Sequence, residues 1–94
     1  MIQSNEKVNH VVNPDLLRLL RCPITMQPLK LADDALVEKV NLGISKKEII
    51  NISGKIVNQP VESGLVSEDG TYYYPVRNGI PILLTTESIS IRSM

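Results

Sequence analysis

One thiol, one imidazole and an adjacent pair of carboxylates are the groups this 94-residue chain offers to chemistry. Cys22 would need nearby cations or a helix N-terminus to act as a thiolate. Arg18 and Arg21 are close in sequence, yet Cys22 follows the C-terminal end of a predicted helix, where the dipole opposes an anion. A small buried hydrophobe is the plainer role for a free cysteine. His10 lies in a polar stretch with no nucleophile beside it and reads as a solvated surface residue. Asp33-Asp34 could suggest acid–base or metal chemistry, but helix capping accounts for both. Glycines 43, 54, 64, 70 and 79 never approach the spacing of a phosphate-binding loop. A single cysteine closes no internal disulfide, and Cys22 with His10 cannot complete a four-ligand zinc site. The chain is therefore expected to be no enzyme and to carry no metal or cofactor.

The elements that would position these groups follow from punctuation and periodicity. Residues 1–12 are polar and read as a loose arm. Asn13-Pro14-Asp15 predicts a helix start, with Asn as N-cap and Pro at the first helical position. Leu16, Leu17 and Leu20 share one face with Leu19 flanking, and Pro23 stops the helix near Arg21. Two prolines then make residues 22–28 a rigid turn, and Leu29-Lys30-Leu31 alternates as a short strand. An aspartate at 33 or 34 caps a second helix bearing Leu36, Val40 and Ile44, which Gly43 could end as a left-handed cap. Ser45-Lys46-Lys47-Glu48 matches a capping box, so a further helical turn is expected before a hairpin centred on Ser53-Gly54. Strands around Leu65-Val66-Ser67 and Thr71–Tyr74 are joined by Glu68-Asp69-Gly70. Asn78-Gly79 then turns into Ile80-Pro81-Ile82-Leu83-Leu84, where Pro81 marks a sheet edge. Residues 85–94 read as a Ser/Thr-rich tail.

Composition narrows the class further. Ten basic and ten acidic residues cancel, which disfavours a binder driven by phosphate contacts and removes a barrier to self-association, so a homodimer stays open. Branched aliphatics make up 31 of 94 residues, enough to drive folding of one domain spanning 1–94. The longest apolar run, Ile80 to Leu84, is far too short to cross a membrane, and the N-terminus has no apolar secretory core. A cytoplasmic location with no membrane partner is the expectation.

Two stretches together resemble a known family. Leu16-Leu17-Arg18-Leu19-Leu20-Arg21-Cys22-Pro23-Ile24-Thr25 with Gln27-Pro28-Leu29, and later Tyr74-Pro75-Val76-Arg77-Asn78-Gly79-Ile80-Pro81-Ile82-Leu83-Leu84, are similar to the small tRNA-methyltransferase activator subunits and their bacterial relatives. The resemblance covers residues 14–31 and about 62–86. It implies a small α+β domain: a zinc-ribbon-like antiparallel sheet, an N-terminal helix, and an inserted helical segment at 32–61. Metal-binding members carry Cys-Pro-x-Cys at the first knuckle and a second cysteine pair further on. Here Thr25 stands at the second knuckle position and no cysteine follows. The pattern thus resembles the zinc-less branch that includes the mitochondrial methyltransferase chaperone PreY. Zinc is not carried over, and Cys22 becomes what survives of a metal knuckle.

The resemblance also implies a function: a non-catalytic protein-binding module that stabilises or activates an S-adenosylmethionine-dependent methyltransferase. Ile80, Pro81, Ile82, Leu83 and Leu84, with Cys22 and Pro23, are the expected partner contacts, because an edge strand offers unpaired backbone groups. The alternative is a degenerate zinc-ribbon that binds nucleic acid through Arg18, Arg21, Lys30 and Arg77; zero net charge counts against it, and no direct nucleic-acid contact is expected.

Overall fold

Strands that read as unbroken apolar runs must be covered on both faces. The middle of this sheet follows that rule. The computed structural model describes residues 14–91. Strands β1 (Leu29–Leu31), β2 (Ser63–Ser67), β3 (Tyr72–Arg77) and β4 (Ile80–Pro81) form an antiparallel sheet in that order, and β5 (Ile89–Ser90) also pairs with β3. Helix α1 (Pro14–Leu17) precedes β1, and helix α2 (Asp34–Ser45) lies between β1 and β2. The result is a small α+β fold with a ribbon-like antiparallel sheet.

Side chains alternate across β2 and β3, so the two faces carry different cores. On one face Val66, Tyr73 and Ile89 pack with Ala32, Val40, Ile44, Ile49 and Val61. On the other, Leu65, Tyr74 and Val76 pack with Cys22 and Leu29, and Leu17, Leu20, Ile24 and Leu83 lean against them. The segment 32–61 is therefore half of the core. It is held by a side-chain clamp: Asn41 donates from Nδ2 to the Val61 carbonyl (2.9 Å) and accepts from the Val61 N–H (2.8 Å).

Local chemistry sets the element ends. Asp33 caps α2 by accepting from the Leu36 N–H at 2.8 Å. The β3–β4 turn places Asn78 at φ 55° and Gly79 at φ 74°, the paired positive angles of a two-residue type I′ hairpin. At the other turn Asp69 accepts from Ser67 Oγ and from the Thr71 N–H, which closes the loop between β2 and β3.

Four expectations are corrected. Gly43 does not end α2; it lies inside the helix because Ile49 packs onto its bare flank, where an added Cβ would stand 2.8 Å from Ile49 Cδ1. The left-handed residue after the helix is Lys47, at φ 61°, and no further helical turn follows at 45–48. Helix α1 spans four residues, with Leu17 and Leu20 turned toward the core and Leu16 exposed. Residues 85–91 are no tail: a 3-10 turn at Thr85–Glu87 leads into β5, and Ile89 is buried. The hairpin expected at Ser53-Gly54 is present as the Ile50–Ile56 bridge, with Gly54 at φ 89°. The 1–12 arm, His10 and the Asn13 cap lie outside the described residues.

Candidate functional site

Residues 22–27 form a loop closed on itself. The Cys22 N–H donates to the Gln27 carbonyl (2.9 Å), and the Met26 N–H donates to the Cys22 carbonyl (2.7 Å). Met26 takes φ 64°, which lets the chain reverse, and Arg21 bridges to Pro28 at the loop's mouth. At its centre the Cys22 sulfur lies 2.9 Å from the Tyr74 hydroxyl and 3.5 Å from the Thr25 N–H. The hydroxyl of Thr25 accepts from the Gln27 N–H.

These contacts set the chemistry of the thiol. Burial pushes Cys22 up, but hydrogen bonds from Thr25 and Tyr74 and from the Thr25 and Ile24 backbone outweigh it, and the net shift is downward. Burial drives the Tyr74 hydroxyl upward, and its contact with Cys22 adds to that. Cys22 is 0% exposed, so a lowered pKa gives no attacking group access to it. Its place is structural: the Tyr74 hydroxyl and the 24–25 turn hydrogen-bond the sulfur.

The terminal segment 80–84 splits by side chain. Ile80 and Leu84 are 61% and 59% exposed, while Leu83 leans on the Cys22–Tyr74 core and Pro81 and Ile82 are half-buried. Its backbone is a blunted edge. Ile80 pairs with Arg77, Pro81 with Val76, and the Ile82 N–H donates to the Pro75 carbonyl at 2.9 Å. Backbone groups alternate in and out along such a ladder, so Pro81 is the outward position, and it has no N–H to offer. Beyond it residues 83–88 leave the ladder as a loop containing the 3-10 turn Thr85–Glu87, before Ile89 pairs with Tyr73. What this edge presents is side chains, not free backbone groups. Of the remaining expected contact residues, Pro23 is exposed and Cys22 presents no surface.

The four cations singled out in the sequence do not converge. Arg18 pairs with Asp15, and Arg21 donates to the carbonyls of Arg18 and Leu20. Arg77 donates to the Gln59 carbonyl in the 32–61 segment, and Lys30 lies on β1 at the far side of the sheet. Among the described residues no three His, Cys, Asp or Glu side chains come together in a group able to hold a metal ion. No helix among them is long and apolar enough to cross a membrane.

Sequence reasoning missed two positions. Asn41 lies on α2 with nothing in its neighbourhood to mark it as a clamp for Val61, 20 residues away. Gly64 is a strand glycine, and an interior strand glycine does signal a close approach. Here Tyr73 fills the space, since a Cβ at Gly64 would stand 2.0 Å from the ring's Cζ.

Together the two-faced ribbon-like sheet and the closed 22–27 loop define a small α+β ribbon-like protein. The chain belongs to the UPF0434 family. It is 33% identical over 91 residues to the UPF0434 protein bsr0601 of Bradyrhizobium diazoefficiens, covering 97% of this chain and 98% of that one. It is 30% identical over 80 residues to the UPF0434 protein R03186 of Rhizobium meliloti, covering 85% and 86%. The solution NMR structure of XF2673 from Xylella fastidiosa superposes with a TM-score of 0.68 at 32% identity, over 84% of this chain and 81% of that one. No family model matches the chain.

Proposed function

We propose that this protein is a non-catalytic binding module that docks on an S-adenosylmethionine-dependent methyltransferase and stabilises or activates it. The carrying observation is the exposure of Ile80 and Leu84 on either side of Leu83, which packs half-buried against the Cys22–Tyr74 core. Large aliphatic side chains held by a rigid hairpin suit a protein interface, where they lose water on docking. The likeness of residues 14–31 and about 62–86 to the methyltransferase activator subunits supplies the partner class. Pro81 and the 83–88 loop that leaves the ladder favour docking through side chains over strand addition. The nucleic-acid reading draws no support from its arginines, since Arg18, Arg21 and Arg77 are each engaged with a different protein group.

Affinity purification of the tagged protein from its native lysate tests this reading. A methyltransferase should be retained in stoichiometric amount, and its methyl transfer or its solubility should fall when the protein is removed. Retention of nucleic acid that salt releases steeply, with no methyltransferase, would favour the alternative.

A further inference from the structure

A groove of about 500 Å³ runs between α2 and the segment after it, far from the Ile80–Leu84 surface and sharing no residue with it. Lys39, Leu42, Gly43 and Lys46 line one wall, Glu48, Ile49 and Ile50 the other, and Ile89 and Ser90 the floor. Leu42 and Ile50 are exposed aliphatics facing this space. Neither lysine has an ion-pair partner among the described residues, and against the single carboxylate of Glu48 the two leave the groove with a net positive charge. Seven residues separate Lys39 from Lys46, about 10 Å along a helix axis.

We infer that this groove binds an extended acidic segment of a partner protein with the pattern acidic–x–aliphatic–x–acidic. In an extended chain alternate residues share one face and the outer two stand about 13–14 Å apart, a span that two long lysine side chains can meet. The middle aliphatic residue then rests on Leu42, Ile49 and Ile50 over the bare flank of Gly43. The walls are aliphatic and offer no ring for base stacking, which disfavours a nucleic acid.

Amide NMR of the full chain, titrated with acetyl-Thr-Glu-Thr-Ile-Thr-Glu-Thr-amide and with its Lys-for-Glu counterpart, tests the inference. The acidic peptide should shift amides of residues 39–50 and of Ile89 and Ser90, and the basic peptide should not. Lys39→Glu with Lys46→Glu should weaken the acidic peptide at least tenfold and let the basic one bind. Lys39→Gln with Lys46→Gln should also weaken the acidic peptide, without adding charge at the helix's negative end. No response to the acidic peptide, shifts lying elsewhere, equal response to both peptides, or binding unchanged in both double variants would each overturn it.

Discussion

The Tyr74 hydroxyl reaches the Cys22 sulfur at 2.9 Å, across 52 residues of sequence, and ties the 22–27 loop to the central strand. The sulfur is hydrogen-bonded by this phenol and by the 24–25 turn. Tyr74→Phe should cost about 1 kcal/mol, the net worth of one hydrogen bond, and Cys22→Ala somewhat more because it also removes packing. A double-mutant cycle in urea checks the pair, and additive effects would show that the two groups do not couple.

Because the Tyr74 hydroxyl already bonds the Cys22 sulfur and position 25 carries threonine, metal is expected to contribute nothing to folding. Thermal unfolding with and without a strong chelator should give the same midpoint, and elemental analysis of dialysed protein should find no stoichiometric zinc.

Alkaline pH attacks both cores. Burial raises Tyr73, with Arg77 opposing only in part, and burial with the Cys22 contact raises Tyr74, both from an ordinary value of 10.0. The folded state thus prefers the neutral phenols. Their contribution is complete below pH 10.0 and is lost as pH rises above it, because the unfolded chain releases these protons first. Urea midpoints should fall above pH 10.0, and Tyr73→Phe should make that fall shallower.

Glycines at 64 and 54 should respond differently to alanine. At Gly64 the new methyl collides with Tyr73, so Gly64→Ala should cost about 1–3 kcal/mol or prevent folding. At Gly54 nothing lies within 4 Å, leaving only the penalty of φ 89°, about 1–2 kcal/mol. Gly64→Ala should recover part of its loss when combined with Tyr73→Leu, whereas Gly54→Ala should not.

Helix α2 and the loop after β1 carry two polar contacts with readable costs. Asp33→Ala removes the cap on Leu36 and should cost about 1 kcal/mol. Asn41→Leu leaves the Val61 N–H and carbonyl without the Asn41 side chain and should cost about 1–3 kcal/mol. Chemical denaturation of each variant gives the values.

Where local chemistry decides the backbone, the sequence is a good guide. Asp33 as a cap, Leu29–Leu31 as a strand and Asn78-Gly79 as a type I′ turn all depend on neighbours within a few residues. Where partners are distant, it is not. Gly43 stays helical because Ile49 needs its flank, and β5 exists because Tyr72 and Tyr73 offer a free edge to two residues of an otherwise polar stretch. The same limit applies to the candidate site. Residues 80–84 are apolar throughout, and only the fold separates exposed Ile80 and Leu84 from Leu83, which packs on the core.

That separation supplies the most direct measurement. Ile80→Asp with Leu84→Asp places charges that stay in water in the free protein but must be desolvated on docking. Circular dichroism should show the native spectrum for this double variant, and its affinity for the retained methyltransferase should fall at least tenfold. Leu83→Asp serves as the contrasting control and should unfold the protein. A folded double variant that binds the methyltransferase as tightly as the unaltered protein would contradict the account.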